Sequence, residues 1–215
     1  MPLKLTLAVP ADAARIADIH MAAFATNGML LAQFPTPEIR EGLREAIKKK
    51  ALADIHDSKI TVLVVRDTPP GRDTATPEDS DNHHSAAEGA LNRCNTEENI
   101  TGKVIAFAKW SHPVGKGEKY EETPWEWPPG TEMRVLENWT RETDEAQEAA
   151  IGDEPCYRLS FMGTDPRYER RGAASMMFYK KMGFKAAKDI SLEFLLNGQN
   201  QKYDEIAFVY RSGSA

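Results

Sequence analysis

Two apolar runs rich in β-branched residues constrain the fold of this chain more than any other feature. Residues 60–65 read Ile-Thr-Val-Leu-Val-Val and residues 102–110 read Gly-Lys-Val-Ile-Ala-Phe-Ala-Lys-Trp, which is typical of buried strands. The stretch between them, 67–100, is rich in Pro, Asp, Glu, Ser, Thr and Asn. Such a segment buries too little apolar surface to offset its ordering entropy. We predict a hairpin that carries a disordered insertion at 67–100, because loop length costs stability only slowly.

The segment before this hairpin predicts one strand and two helices. Residues 3–9 alternate apolar and polar side chains, the period of a strand. A helical pattern follows, with Asp12 as its expected N-cap, and a second helix is expected to begin after Thr36, with Pro37 in its first turn. The Lys48-Lys49-Lys50 run predicts a solvated face of that second helix.

The middle of the chain carries an aromatic loop and a further helix. Residues 124–130 read Pro-Trp-Glu-Trp-Pro-Pro-Gly, and 131–151 have the spacing of an amphipathic helix. Two readings of Trp125 and Trp127 stay open: they pin the loop onto the body of the protein, or they form a lid or acceptor wall. We expect 112–155 to be a loop and helix insertion in a single domain spanning 1–215.

Strand patterns return in the last third, at 156–162, 186–196 and 204–211. A helix is expected to end at 178–184, with Gly183 as its left-handed cap. Together these elements predict an α/β chain of the α+β kind, with helices packed on a mixed sheet.

Composition excludes several classes of protein. A formal net charge of −6 argues against a nucleic-acid partner and mildly favours cationic acceptors such as amines. The two cysteines have no metal-ligand spacing, so we expect no metal and a reducing compartment. No apolar run is long enough for a membrane span. We expect a cytoplasmic protein with no membrane partner.

The residues that carry chemistry follow the strand at 156–162. The sequence Thr164-Asp-Pro-Arg-Tyr-Glu-Arg-Arg-Gly-Ala-Ala-Ser175 turns from a loop into a helix. Backbone N–H groups at such a helix start, with small residues that allow close approach, form an anion site suited to a pyrophosphate. Arg170 and Arg171 add charge that such a ligand favours.

Three stretches together resemble the Gcn5-related N-acetyltransferase (GNAT) family. They are the stretch 164–175, the motif Phe178-Tyr-Lys-Lys-Met-Gly-Phe184 and the strand at 102–110. The Pro-Trp-x-Trp-Pro loop and residues 153–157 resemble uncharacterised fungal members. The resemblance implies an N-acetyltransferase that moves an acetyl group from acetyl-CoA, its cosubstrate, to a small-molecule or peptide amine. It implies that Tyr179 protonates the departing thiolate, and that the main chain near Thr164 lines the pantetheine. The implied pyrophosphate site is Arg170, Arg171, Gly172, Ala173, Ala174 and Ser175.

Three candidates for a general base stay open: His112, Glu132 and Asp165. The alternative function is a non-catalytic, degenerate acyltransferase that acts as a coenzyme-binding or interaction module.

The sequence departs from the family pattern in two places. Glu169 stands where Gln or Arg is usual, which is unfavourable beside a pyrophosphate. Gly172 and Tyr179 are seven positions apart, roughly 10 Å of helix, so a strand does not fit between them. We therefore expect a GNAT-like fold lacking one strand and most of a helix between residues 177 and 178, with activity impaired. Either the strands at 186–196 and 204–211 move into the vacancy, or the sheet edge stays open.

Overall fold

A computed structural model describes residues 3–68, 102–115, 117–152, 154–168 and 183–211. Its strands are β1 (Leu3–Leu7), β2 (Ile60–Asp67), β3 (Lys103–Ser111), β4 (Arg158–Thr164), β5 (Lys185–Leu196) and β6 (Gln199–Val209). Its helices are α1 (Ala13–Ala23), α2 (Gly28–Gln33), α3 (Pro37–His56) and α4 (Met133–Ile151), with short 3-10 turns at Pro10–Asp12 and Pro166–Tyr168. The predicted α+β class is confirmed.

The main sheet has four strands in the order β1-β2-β3-β4, and every neighbouring pair is antiparallel. The predicted hairpin pairing is therefore confirmed: Leu63 lies opposite Ala108 across β2 and β3. Apart from its first two residues, the predicted insertion at 67–100 lies outside the described residues. Among the described strands, β4 pairs only with β3, so its other edge carries no strand partner.

Helices α1 and α3 cover one face of this sheet. Buried side chains of both helices pack against alternate residues of β2 and against β3, and Ile19 and Val64 are fully enclosed. Alternation along β2 follows from the strand period, because residues 60, 62, 64 and 66 face these helices. One of the buried apolar clusters of the described residues lies in this layer.

The start of α3 follows the sequence prediction. Thr36 is its N-cap, and the hydroxyl oxygen of Thr36 accepts the amide proton of Ile39 at 3.3 Å. The prediction for Asp12 was right in position and wrong in chemistry. Asp12 is the N-cap residue of α1 but makes no capping bond. Its carboxylate instead accepts the amide of Val9 at 2.9 Å and the guanidinium of Arg66 at 2.5 Å, because a buried Arg66 needs a charged partner.

Helix α2 was not predicted. Its six residues are too few to show a helical period. The local signal is Asn27, whose side-chain oxygen accepts the amide proton of Leu30 at 3.0 Å. The aromatic loop and α4 follow as expected, and α4 spans Met133–Ile151 within the predicted 112–155 segment.

Strands β5 and β6 form a hairpin of their own. Asn197 and Gly198 make its turn with positive φ angles of 53° and 76°, as a tight hairpin requires. Leu192 and Phe194 pack on α2, beside Trp139 of α4. Of the two arrangements left open for the edge of β4, the structure shows the open edge among the described strands, and β5 and β6 do not lie next to β4. Their apolar side chains are buried against α2 and α4, which holds the hairpin away from the main sheet.

Strand β1 shows an unexpected exposure pattern. The strand was correctly predicted, but Leu3, Leu5 and Leu7 are between 43% and 64% exposed. These side chains point to the face of the sheet that α1 and α3 do not cover, and they are therefore exposed. The helix expected to end at 178–184 lies outside the described residues up to 182, and Gly183 has φ +88°.

Candidate functional site

Most of the residues predicted to bind the coenzyme lie outside the described part of the chain. These are Arg170, Arg171, Gly172, Ala173, Ala174 and Ser175, together with the predicted acid Tyr179 and the non-matching Glu169. Thr164 is described: it is the last residue of β4 and lies opposite Ala106 of β3. The structure therefore shows how the chain enters the predicted pyrophosphate loop.

The entry to that loop is fixed by Asp165. Its amide donates to the carbonyl of Ile105 at 2.8 Å, which extends the β3–β4 ladder by one residue. Its carboxylate accepts the amide and guanidinium of Arg167 at 2.7 to 3.0 Å and also pairs with Arg15. Arg15 in turn donates to the carbonyl of Val104 at 3.0 Å. The turn after β4 is thus tied to α1 and β3.

These contacts decide the chemical state of Asp165. Hydrogen bonds from Arg167 outweigh the effect of burial and, with those from Arg15, hold the pKa of Asp165 well below its usual range. A carboxylate so strongly stabilised as the anion is a poor proton acceptor. Asp165 is therefore a structural anchor, and the hypothesis that it is the general base is disfavoured.

The ion-pair cluster of Arg15, Arg167 and Asp165 carries one more positive than negative charge. Arg15 and Arg167 share this one carboxylate, and the ammonium of Lys103 lies 5.9 Å from the centroid of the Tyr168 ring. The next basic residues along the chain are Arg170 and Arg171. A surplus of cations where the chain enters a loop of small residues favours an anionic ligand.

The other two candidates for a general base lie elsewhere. His112 follows β3, and its ring nitrogen Nε2 is 2.7 Å from the hydroxyl of Thr61. Glu132 precedes α4, where its amide donates to the carbonyl of Gln33 at 2.9 Å. Neither contact singles out a base.

A second polar site lies inside the helical layer and was missed by the sequence analysis. Lys50 binds the carboxylates of Asp54 and Glu122, and Lys109 binds the same two carboxylates. The four residues alternate in sign around a ring, which we call the charge square. Its two lysines and Asp54 are almost fully buried, and Glu122 is about three-quarters buried.

Lys50 therefore corrects the prediction that the Lys48-Lys49-Lys50 run is a solvated face. Lys48 and Lys49 are exposed, but Lys50 is only 4% exposed. The sequence held the signal: Lys50 follows Ile47 by three residues and Asp54 follows Ala51 by three residues, which places both on the buried face of α3.

Contacts within the charge square favour the charged forms of Lys50 and Glu122. Burial lowers the pKa of Lys50, but hydrogen bonds to Asp54 and Glu122 outweigh it and the pKa is raised. Burial raises the pKa of Glu122, but hydrogen bonds from Lys109 and Lys50 outweigh it and the pKa is lowered. The lysine and the carboxylate thus stabilise each other's charged form.

A pocket of about 30 Å³ lies beside the charge square. Its apolar wall includes Phe107, Trp125 and Phe161, and its polar wall includes His20, Lys50 and Lys109. Burial lowers the pKa of His20 to about 4, so this imidazole is neutral at pH 7. Neither ring nitrogen of His20 has a hydrogen-bond partner among the described residues.

The aromatic loop forms part of this pocket. Trp125 and Trp127 stack with ring centroids 4.6 Å apart and planes inclined by 5°. Trp127 contacts Phe34, and Trp125 meets Phe161 edge to face at 5.8 Å. The loop is therefore pinned onto the body, as one reading predicted. Trp125 also lines the pocket, so the reading of an acceptor wall keeps its place as a proposal.

A larger open groove, about 410 Å³, runs along α4 and borders Trp127. Trp127, Met133 and Leu136 supply its apolar part, and its charged part is formed by Glu137, Arg141, Asp144 and Glu145. Arg141 is paired with Glu145 at 2.8 Å. The groove is therefore net acidic.

Comparison with known proteins gives limited information. No protein-family model and no curated protein sequence matches the chain. Among solved structures, an HPA2-type histone acetyltransferase and related acetyltransferase from Corynebacterium glutamicum is similar over 97% of this chain and 95% of that chain. The identity is 14% and the TM-score 0.45, too low for any conclusion on activity.

Among the described residues, no helix is long and apolar enough to cross a membrane, and no group of three or more His, Cys, Asp or Glu side chains is arranged to hold a metal ion.

Proposed function

We propose that this chain is an acyltransferase that moves an acetyl group from acetyl-CoA to an amine. The observation that carries the proposal is the end of β4. There an anchored turn with a surplus of cations leads, within a few residues, into the loop of small and basic residues that ends at Ser175. An anionic coenzyme is the ligand class that such an entry favours.

The open edge of β4 supports the same proposal. Alternate backbone N–H and C=O groups on this edge have no partner strand among those described. Such an edge can pair with an extended chain containing amides. Pantetheine is a chain of this kind, so its amides would bind the main chain near Thr164 while the pyrophosphate lies at 170–175.

The reaction needs little from the protein beyond positioning. The amine nitrogen attacks the thioester carbonyl, a C–N bond forms, the C–S bond breaks, and the thiolate takes up the proton that the amine loses. In this proposal the Tyr179 phenol, whose ordinary pKa is near 10, gives its proton to the thiolate and takes one from the amine nitrogen, so the proton that the amine loses reaches the sulfur through Tyr179. Arg15, Asp165 and Arg167 hold the loop entry and take no part in proton transfer.

Acetyl-CoA binding by isothermal titration calorimetry tests the proposal. The full chain is compared with an Arg170→Ala/Arg171→Ala variant and with a Lys48→Ala/Lys49→Ala control. The control removes the same charge from the exposed face of α3. We expect micromolar binding, weakened at least tenfold in the arginine variant and unchanged in the control.

Absence of binding by a folded protein would refute the coenzyme proposal, and equal weakening in both variants would refute the assigned site. Thiol release from acetyl-CoA with a panel of amines then tests turnover. Binding without turnover on any amine would favour the alternative, a non-catalytic coenzyme-binding module.

A further inference from the structure

The pocket beside the charge square is lined by a histidine whose ring nitrogens have no hydrogen-bond partner among the residues that the structure describes. His20 lies in α1 with only 8% of its surface exposed, and Phe24 and Phe161 surround its ring at centroid distances of 4.8 and 5.5 Å. A neutral imidazole has one N–H donor and one acceptor. Leaving either group without a hydrogen bond is unfavourable. The ring nitrogens of His20 are not fully enclosed by protein, so an occupant of the pocket can reach them and supply the missing hydrogen bond.

The size of the pocket limits that partner. About 10 to 15 Å³ in the same measure is needed to hold one water, and the pocket has about 30 Å³. Two or three heavy atoms therefore fit. The ring faces of Phe107, Trp125 and Phe161 line it, so part of the ligand must be apolar. A methylene that ends in one polar atom meets both conditions.

The charges around the pocket limit the ligand further. Each carboxylate of the charge square already binds both lysines. A cationic ligand would therefore meet the two ammonium groups without a free carboxylate to pair with. An anion would meet Asp54, which also lines the pocket, and would find both ammonium groups already paired with carboxylates. A neutral polar atom that hydrogen-bonds to the imidazole has neither cost.

From this geometry we infer that the pocket receives the amino end of an unbranched primary amine, bound in its neutral form with one N–H donated to His20. This inference rests on the proposed function, because the neutral amine is the nucleophile that attacks a thioester. Phe161 lines the pocket and belongs to β4, the strand whose open edge is proposed to hold the pantetheine. His20 orients the amine, and the proton lost by the nitrogen goes to the thiolate.

A pH experiment on His20 is also affected by the titratable groups of the elements packed against it. Strands β2 and β4 contribute Val62 and Phe161, which do not titrate. The charged or titratable groups that face His20, directly or through the charge square, are Lys50 and Asp54 of α3, Lys109 of β3 and Glu122 of the aromatic-loop segment.

Nitrogen NMR of ¹⁵N-histidine-labelled full chain tests the inference. The His20 signal is assigned by its loss in His20→Gln, and the protein is titrated with n-propylamine and with tert-butylamine, each with and without acetyl-CoA. We expect n-propylamine to shift the His20 signal and tert-butylamine to leave it unchanged. The exposed His56 should stay unchanged in both titrations.

The pH dependence provides the sharper result. At pH values below its pKa near 10.4, a primary amine is mostly protonated. Its neutral fraction then rises about tenfold for each unit by which the pH increases. The n-propylamine concentration at half-saturation should therefore fall roughly a hundredfold from pH 7 to pH 9. A shift by both amines, no shift by either, or a half-saturation concentration independent of pH would overturn the inference.

Kinetics of two variants separate this inference from the proposed function. In His20→Leu the KM for n-propylamine should rise at least tenfold, and in His20→Gln, which keeps a hydrogen-bond acceptor, it should recover in part. The Kd for acetyl-CoA should be unchanged in both. Turnover of acetyl-CoA with an unchanged KM in His20→Leu would refute the pocket and leave the transferase proposal intact. A His20 shift without acetyl-CoA binding would refute the transferase and leave the pocket.

Discussion

The charge square of Lys50, Asp54, Lys109 and Glu122 yields a quantitative prediction for Lys109→Met. The Lys109 side chain is 6% exposed and its ammonium lies 2.8 Å from the carboxylate of Asp54. Methionine keeps most of the stem volume but removes the charge, which leaves Lys50 with two carboxylates. Removing one partner of a buried pair costs about 3–5 kcal/mol. For a chain of this length, that lowers the melting temperature by about 6–20 °C.

The double variant Asp54→Asn/Lys109→Met sharpens the prediction. It removes one charge of each sign and leaves the pair between Lys50 and Glu122, whose atoms are 2.6 Å apart. The uncompensated carboxylate is then gone. Because the two residues share one network, we expect the double variant to be less destabilised than the sum of the single variants by about 1–3 kcal/mol.

Urea unfolding followed by circular dichroism measures these free energies by linear extrapolation. Lys49→Met is the matched control, since Lys49 is on the same helix as Lys50 but 69% exposed in its ion pair with Glu126. Such surface pairs contribute about 0–1 kcal/mol. If Lys109→Met cost no more than Lys49→Met, or if the cycle were additive, the charge square would not be the buried network described above.

Three further predictions concern the rest of the site. Because the pKa of Asp165 is depressed, its ion pairs stabilise the fold above its unfolded pKa near 3.9, and this contribution is lost as the pH falls below that value. Asp165→Asn should therefore be less stable than the native chain at pH 7, with the difference shrinking in urea titrations below pH 4. His20 has a pKa near 4 in the fold against 6.5 unfolded, so protonation of the unfolded chain reduces stability as the pH falls from 6.5 to 4. His20→Leu should remove about 3 kcal/mol of this decline, and an unchanged pH profile would contradict it. At Gly42 an added Cβ would lie 2.7 Å from Cβ of Pro128, so Gly42→Ala should displace the aromatic loop, lower stability by about 1–3 kcal/mol and change the fluorescence of Trp125. If the variant were instead more stable, by the helix propensity of alanine, the close packing of this loop on α3 would be wrong.

Much of the local structure could be predicted from the sequence. The strand of 60–65, its antiparallel partner at 102–110 and the helix beginning at Thr36 follow from period, β-branched composition and capping chemistry. These signals act over a few residues, so they can be seen in one stretch of chain. Helix α2 was missed for the same reason, because six residues do not establish a period.

The candidate site was predictable only in part. Thr164 lies at the end of β4, as its position before the loop motif predicted, while the roles of Tyr179 and of residues 170–175 stay predictions. Asp165 was one of three candidate bases, and only its two arginine partners, one of them 150 residues away along the chain, show that it is an anchor. A side chain's pKa depends on neighbours that the sequence does not reveal.

Local signals in the sequence predicted the strands and the longer helices, because backbone propensity, side-chain period and capping act over a few residues. Which of their polar residues are buried depends on how these elements pack. Lys50 resembles Lys48 and Lys49 in sequence, but its position on α3 places it between Asp54 and Glu122. His20 likewise lies on the helix face that meets Phe107 and Phe161. Burial changes the free energy of a charge far more than its neighbours in sequence do, and burial is a property of the packed chain.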